Sequence, residues 1–348
     1  MNKQAIVLAA AVALAAAATG WAVDRVQTTA REKPMVMGKI LSITPQQIEI
    51  ELLSSGGATR QIPVNEIKGV MFEDEPGGLF QARKAVADGE YGDALDKLEK
   101  LTPAESSRRD IATEIEYFKA YCRAELALSG NGDITEAGGG MLAFAKAHET
   151  SYHYLQACEL VGNLLVAKGA YSQAEPYYHK LAEAPWPDYK MRAGIAMGRA
   201  LLAQGKAAEA ARAFDTVIAS EASGDLAEAQ RMAAKVGKAR TMAAGSQVDE
   251  AIRILQNIIA NADADNEELH ALAYNALGTA LRKARKPQEA LLAFLHVDLL
   301  YSSNPEAHAE ALANLEQLFT ELHKAEHAKR VRATLEQRYH NSRWATGR

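Results

Sequence analysis

Near the end of the chain, two histidines and a glutamate have a spacing that could hold a catalytic metal. His323, Glu326 and His327 form the pattern H-x-x-E-H, which binds zinc when both histidines lie on one face of a continuous helix. Here the helical pattern predicts a turn after His323, so the two imidazoles would not share a face. No third ligand is evident, because Glu336 is only nine residues further on and the chain soon ends. We predict a solvated turn and no metal or other cofactor, and a zinc-dependent hydrolase remains the alternative.

The other reactive side chains are dispersed. His148, His153 and His179 lie among tyrosines at helical spacing, which is typical of core and interface packing. Cys122 and Cys158 are 36 residues apart, on predicted neighbouring helices. Packed helices lie about 8–10 Å apart and a disulfide needs Cα atoms within roughly 7 Å, so we expect two buried thiols. The sequence contains no phosphate loop, dinucleotide fingerprint, G-x-S-x-G turn or calcium loop, which favours a non-enzymatic protein.

The first 22 residues have the pattern of an export signal. Lys3 is the only charge before Asp24, and an apolar run extends from Ala5 to Ala18. The alternative is a retained anchor, because the charge-free stretch approaches the ~20 residues that a spanning helix needs. We therefore expect a protein that is exported to the periplasm or another extracytoplasmic site. Any membrane contact would be made only through an uncleaved segment 1–22.

Residues 23–76 differ from the rest in composition and period. Only one alanine, Ala58, falls between Arg31 and Gln81, and β-branched residues are frequent there. Apolar and polar residues alternate, as in the run from Ile48 to Leu52, which predicts half-buried strands. We predict strands near 24–28, 35–43, 47–53, 59–64 and 67–73. Five short strands with tight turns predict a small β-barrel-like domain, and the segment resembles SH3-like or Sm-like barrels.

Nucleic acid is not a predicted partner. Readers of single-stranded RNA need stacking aromatic rings and a basic track. The predicted strands contain one aromatic residue, Phe72, and an acidic run, Glu73 to Glu75, follows it. The whole chain has a formal net charge of −5, which gives no electrostatic basis for phosphate binding.

After residue 76 the chain is rich in alanine and repeats itself. A turn glycine often precedes an alanine on the following helix, and a small residue lies twelve positions before that alanine, as in Ala82 and Ala94 or Gly162 and Ala174. The small side chains predict close crossings of two antiparallel helices. A large apolar residue often follows the alanine by four positions. The register alanines, with an average step of 39 residues, are Ala94, Ala137, Ala174, Ala210, Ala251, Ala290 and Ala328.

This pattern resembles tetratricopeptide repeats, whose period is 34 residues, over roughly 79–340. The resemblance implies a mainly α protein: an α-solenoid of about seven helical hairpins over 77–340, then a C-terminal tail at 341–348. It is weaker over 110–147, where we expect Gly138 to Gly140 to interrupt the second helix as a flexible break, and at the last unit, where Glu316 replaces the small residue. An α-solenoid of another repeat family remains open. Some exported bacterial tetratricopeptide proteins have a similar small β domain in front.

The resemblance also implies a concave groove lined by the first helix of each hairpin. The residues that it places in or near this groove are Arg83, Gln156, Glu159, Asn163, Arg192, Arg199, Asn275, Thr279 and Arg282. Arginine and asparagine side chains bind extended peptides and carboxylates. We therefore expect a protein–protein interaction scaffold at the cell envelope, which binds a peptide segment, acidic tail or helix of a partner protein. Tyrosines and Trp186 leave a cell-wall or carbohydrate-associated binding module as a further alternative.

Overall fold

The computed structural model of the chain describes residues 23–53, 56–101 and 108–347. The segment 1–22, predicted to be an export signal or anchor, lies outside the described residues. Among the helices that are described, none combines the length and the apolar character needed to cross a membrane.

Five antiparallel strands open the described chain. They are β1 (Asp24–Thr28), β2 (Met35–Ile43), β3 (Gln47–Leu52), β4 (Thr59–Pro63) and β5 (Ile67–Met71). The hydrogen-bonded order is β4-β3-β2-β1-β5, and a 3-10 turn at Val64–Glu66 connects the two edge strands. Alternate residues such as Val26, Ile48 and Ile50 are buried, as the period of two predicts. The five predicted strands are confirmed to within two residues at each end.

The rest of the described chain is helical. Its helices are α1 (Gly77–Ala87), α2 (Tyr91–Glu99), α3 (Arg109–Leu128), α4 (Ile134–Ala147), α5 (Tyr154–Ala167), α6 (Tyr171–Ala182), α7 (Pro187–Ala203), α8 (Ala207–Ile218), α9 (Asp225–Ala244), α10 (Val248–Asn261), α11 (Glu267–Lys283), α12 (Pro287–Leu300), α13 (Pro305–Glu321), α14 (Ala325–Tyr339) and α15 (Arg343–Thr346). The first fourteen pair into seven consecutive hairpins, and each hairpin packs on the next. The predicted solenoid of seven hairpins is confirmed.

All seven register alanines are buried. The close approach of the two helices in a hairpin, however, depends on more than a pair of small residues. A Cβ atom on Gly198 would lie 2.6 Å from the ring of Phe214, and one on Gly278 would lie 2.6 Å from the ring of Phe294. The glycine of the first helix therefore makes room for the aromatic ring that follows the alanine by four residues. The ring fills the crossing, and any side chain on the glycine would collide with it.

Six of the seven hairpin turns use the left-handed backbone conformation, and the turn at Gly245, with φ of −82°, does not. Gly169 and Gly205 follow α5 and α7 with φ of 82° and 76°. Glycine reaches this region without a Cβ clash, and it ends a helix readily there. Arg285 and His323 hold the same place after α11 and α13, with φ of 60° and 59°, although both carry a side chain.

The predicted break in the second hairpin is wrong. Helix α4 runs without interruption through Gly138, Gly139 and Gly140. Its start is stabilised by Asp133, whose side chain accepts hydrogen bonds from the first turn, and Met141 and Phe144 are buried against the neighbouring helices. Burial of this apolar face outweighs the roughly 1 kcal/mol by which each glycine weakens a helix relative to alanine.

Both ends of the solenoid make additional contacts. Asp24 of β1 accepts hydrogen bonds from the backbone N–H groups of Ile40 and Glu73, and it pairs with Arg108 at 2.5 Å. At the other end, the Asn341 N–H donates to the carbonyl oxygen of Gly130, 3.2 Å away in the turn of the second hairpin. The β domain is thus joined to the first helices, and the last hairpin returns to the second. The segment predicted to be a tail contains α15.

Candidate functional site

The first helices of successive hairpins form the inner, concave face of the solenoid. Helices α7, α9, α11 and α13 pack side by side. Arg240 of α9 forms an ion pair with Glu310 of α13, and this pair passes over the intervening helix α11. Side chains from non-adjacent first helices meet in this way only on the concave side. This face is the groove that the sequence predicts, and its residues form the candidate site.

Two residues predicted to line the groove do not face it freely. The Arg83 guanidinium is enclosed by Glu75 and Glu114, and only 13% of its side chain is exposed. Asn275 is fully buried: its amide nitrogen donates to the Ala307 carbonyl at 2.8 Å, while its Oδ1 has no hydrogen-bond partner. Both side chains stabilise contacts between helices, and their polar groups are not presented to the open groove.

Three other predicted residues stabilise neighbouring hairpins while they face the groove. Arg192 of α7 donates to both carboxylate oxygens of Glu159 on α5. Asn163 accepts a hydrogen bond from the Tyr178 hydroxyl at 3.0 Å. These contacts use the polar groups of the groove wall, and they hold α5, α6 and α7 in fixed positions.

The end of the groove near α13 is polar and internally bonded. Arg282 donates to Asn314, Gln317 and Glu321, at 3.0, 2.9 and 2.7 Å. Thr279 is exposed, although its hydroxyl donates to the Asn275 carbonyl at 3.0 Å. Gln156, at the opposite end, is half-buried.

Arg199 is the exception among the predicted groove arginines, because no hydrogen bond or ion pair within the described residues holds its guanidinium. The residue is exposed on α7, on the concave side of the solenoid. Partial desolvation in the groove lowers the pKa of Arg199, and the nearby Arg240 lowers it further, while Glu268 and Glu310 raise it. The net direction of the pKa shift is downward, and Glu268 and Glu310 offset part of the effect of burial. The groove therefore offers a guanidinium with all its donors available to an anion.

A buried cluster that sequence reasoning missed lies beneath the first hairpins. We call it the junction: Glu75, Arg83, Glu114, Tyr152 and His153. Glu114 accepts from Arg83 at 3.0 Å and from the Tyr152 hydroxyl at 2.6 Å, and its Oε1 lies 2.8 Å from His153 Nε2. Arg83 also donates to Glu75 at 2.7 Å. The junction joins the end of the β domain to α1, α3 and the start of α5.

The junction is an internal structural site. Burial alone would raise the pKa of Glu114, but the charges of His153 and Arg83 outweigh burial and hold that pKa at about 2. Every carboxylate and guanidinium in it has a partner, so no group is left for a ligand. The only signal in the sequence was that Glu114 and His153 each have apolar neighbours. The helical period does not indicate that these two residues lie close together.

The side chains considered for chemistry do not come together. His323 lies in the turn between α13 and α14, and His327 lies on α14, so the predicted separation of the two is confirmed. In the described part of the chain, no group of three or more His, Cys, Asp or Glu side chains could hold a metal ion. Cys122 and Cys158 are buried as free thiols, and burial raises the pKa of Cys122 to about 12.

His148, His153 and Trp186 lie against other side chains of the protein. His153 stacks on Tyr117 with ring centroids 3.6 Å apart, and His148 lies 2.7 Å from Glu116. His179 is exposed on α6, away from the other two. Trp186 is half-buried against the core shared by the β domain and the first hairpin. The indole therefore does not form an exposed platform for a sugar ring.

A cleft of about 670 Å³ lies beside the Asp24–Arg108 ion pair. Its walls combine Lys39 and Arg108 with Glu51 and Glu73. This mixture of opposite charges gives no preference for an anionic or a cationic ligand.

Comparisons with known proteins agree with the architecture. No protein-family model and no curated protein matches the sequence. Among solved structures, a tetratricopeptide repeat protein from Parabacteroides merdae ATCC 43184 is similar over 75% of this chain and 91% of its own, with 15% identity and a TM-score of 0.53. A Rap protein complexed with competence and sporulation factor is similar over 78% of this chain and 76% of its own, with 12% identity and a TM-score of 0.51.

At these identities the similarity shows the fold alone. The chain is a mainly helical, tetratricopeptide-like α-solenoid, preceded by a small five-stranded antiparallel sheet.

Proposed function

We propose that this protein is a non-enzymatic interaction scaffold that binds an acidic peptide segment of a partner protein in its concave groove. The observation that carries the proposal is the guanidinium of Arg199, which has no hydrogen bond or ion pair within the described residues, whereas the other predicted arginines have carboxylate partners. The similar Rap structure, which holds a bound factor, supports the use of this kind of solenoid for binding.

The chemistry of Arg199 favours a carboxylate ligand. A guanidinium forms two parallel hydrogen bonds with a carboxylate, and such charge-assisted bonds are about twice as strong as neutral ones. A bound carboxylate would add an ion pair to the longer-range attraction that Glu268 and Glu310 exert on Arg199. The hydroxyl of exposed Thr279 already donates to the Asn275 carbonyl, and it could accept a hydrogen bond from a peptide in the same groove.

We further propose that the scaffold acts outside the cytoplasm, at the cell envelope. The support is the composition of residues 1–22, with one charge before a long apolar run. Sequencing the N-terminus of the protein purified from its native host tests this directly. A chain that begins near Val23 supports cleaved export, a chain that keeps its first residues and fractionates with membranes supports an anchor, and an intact chain in the cytosol contradicts the proposal.

The binding proposal is tested with an array of short peptides whose net charge varies at constant length. We expect the full chain to retain peptides rich in Asp and Glu, and the Arg199→Gln variant to bind them at least about tenfold more weakly. Arg253→Gln is the matched control, because Arg253 is exposed on the outer helix α10. Equal retention of acidic and basic peptides, or equal loss in both variants, would contradict the assignment.

A further inference from the structure

The groove contains a carboxylate on α3 that forms no ion pair with any described residue. This carboxylate belongs to Glu125, which is partly exposed. Burial raises the pKa of Glu125, and repulsion from Glu159 on α5 raises it further, while the nearby Tyr121 hydroxyl favours the charged form. We call Tyr121, Glu125 and Glu159 the acidic end of the groove. A positively charged group would be favoured there, because it would offset both burial and repulsion.

The acidic end lies on the same inner face as Arg199. Arg192 of α7 donates to both carboxylate oxygens of Glu159, so this pair connects two first helices across the concave side. Arg199 lies seven residues after Arg192, two turns further along the same face of α7. Glu125 acts on Glu159 from α3, on the other side of α5. The charged side chains therefore cross three successive first helices, α3, α5 and α7.

The two ends of this row have opposite charge. Arg192 already neutralises Glu159, which leaves Glu125 as the anion without a paired cation in the described part of α3 and its neighbours. Arg199 is the cation at the other end. Asn163, which lies between them on α5, is neutral, and its side chain accepts a hydrogen bond from Tyr178. A ligand in the groove thus meets a carboxylate, then a neutral amide, then a guanidinium.

The size of the row suits an extended peptide. Packed helices lie about 8–10 Å apart, so the two steps from α3 to α7 place Glu125 about 20 Å from Arg199. A strand rises about 3.3 Å per residue, so about six residues cover this distance. A peptide with opposite charges at this spacing would therefore reach both ends of the row without folding back.

The surroundings of Glu125 favour an ammonium group. Tyr91 and Tyr121 are both half-buried, both interact electrostatically with Glu125, and their ring centroids are 6.0 Å apart. Their hydroxyl oxygens and the carboxylate provide several acceptors in one place. A lysine ammonium has three donors that rotate freely, whereas a guanidinium needs planar, paired acceptors.

We propose that the acidic end binds a lysine of the partner peptide, about six residues from the carboxylate that binds Arg199. This inference rests on the proposed binding of an acidic segment at Arg199. It makes Glu125 a residue that determines specificity: the preferred partner segment carries both charges, in a fixed spacing, and is not simply acidic.

Three peptides of equal length test the inference by calorimetric titration of the full chain. Each contains an Asp pair near one end. The first has Gln six residues from this pair, the second has Lys there, and the third has the composition of the second with Lys next to the Asp pair. We expect the second to bind about tenfold more tightly than the first, through a charge-assisted contact. The third should gain less than about twofold, although its net charge equals that of the second.

The Glu125→Gln variant is expected to remove the advantage of the second peptide and to leave binding of the first unchanged. Glu136→Gln is the matched control, because Glu136 is exposed on α4, the outer helix of the same hairpin. Circular dichroism checks that both variants fold. Equal weakening of all three peptides by Glu125→Gln would indicate a structural role and would overturn the inference.

Failure of this inference differs from failure of the proposed function. If the unmodified chain binds the first and second peptides equally, or gains equally from both positions of Lys, the role of the acidic end is wrong. Binding at Arg199 still stands in that case, provided that Arg199→Gln weakens the first peptide. If Arg199→Gln has no effect on the first peptide, the proposed function is contradicted, and the inference falls with it.

Discussion

Replacing Glu114 with glutamine removes the charge at the centre of the junction with little change in shape. The side chain is 1% exposed and contacts Arg83, Tyr152 and His153. Glutamine keeps one acceptor oxygen, but it leaves His153 and Arg83 without their shared counter-charge. Arg83 keeps Glu75 as a partner, so the variant retains one of its two ion pairs.

The magnitude follows from the pKa of the buried carboxyl. A pKa lowered from the ordinary value of 4.5 to about 2 corresponds to about 3 kcal/mol of preferential stabilisation of charged Glu114. Because the folded pKa lies below the unfolded one, this stability is fully present above about pH 5 and is lost as the pH falls towards 2. We therefore expect Glu114→Gln to be less stable by about 3 kcal/mol at pH 7, with a difference that shrinks below pH 5.

Urea unfolding followed by circular dichroism measures the difference at pH 7 and at pH 3. Solenoids unfold in parts, so amide hydrogen exchange is needed to locate the effect. Faster exchange is expected in the β domain and in α1 and α3, with no change in α11 to α14.

The matched control is Glu116→Gln on the same helix. The Glu116 side chain is 47% exposed and pairs with His148 at the surface, so we expect a loss below about 1 kcal/mol. The reasoning is refuted if Glu114→Gln is no more destabilising than this control at pH 7, or if its effect is the same at pH 3.

Four further single variants and one double variant test the backbone and packing assignments by their urea midpoints. Gly139→Ala is expected to stabilise the protein by about 1 kcal/mol, because the exposed glycine lies inside α4 with free space around it; a lower midpoint would contradict this. Gly278→Ala is expected to destabilise by about 1–3 kcal/mol through collision with Phe294, and adding Phe294→Leu should recover part of the loss. Arg285→Gly is expected to stabilise by about 1 kcal/mol by removing a side chain at positive φ, while Gly205→Ala should do the opposite.

Local pattern predicted the strands, the seven hairpins and the buried alanines. These predictions depend on residues that are close in the chain: the period of the apolar residues, the turn residues, and spacings such as that from Ala174 to Tyr178. In a helix or strand, residues at a regular spacing lie on the same face. The same local reasoning failed at Gly138 to Gly140, where helix propensity was outweighed by burial of Met141 and Phe144. Propensity is a weak preference, and packing decides between its alternatives.

The predicted groove residues differ in whether their polar groups are paired, for a related reason. Their positions on first helices follow from the repeat register, and this register is local. Whether a side chain is free or paired depends on a residue about one repeat away, as for Arg192 with Glu159 and Arg282 with Glu321. In the case of Arg83, the partner is Glu114, which no spacing rule connects to it.

The sequence by itself determined the order of the parts: a small sheet, then seven helical hairpins with alanine at each crossing. Only the tertiary structure decided which charges meet. It buried Glu114 among three partners, paired Arg240 with Glu310 across an intervening helix, and left Arg199 without an ion pair among the described residues. The physical reason is that secondary structure depends on neighbours within a few residues, whereas an ion pair depends on how whole helices are placed, and small changes in their angles move charged ends by several ångströms.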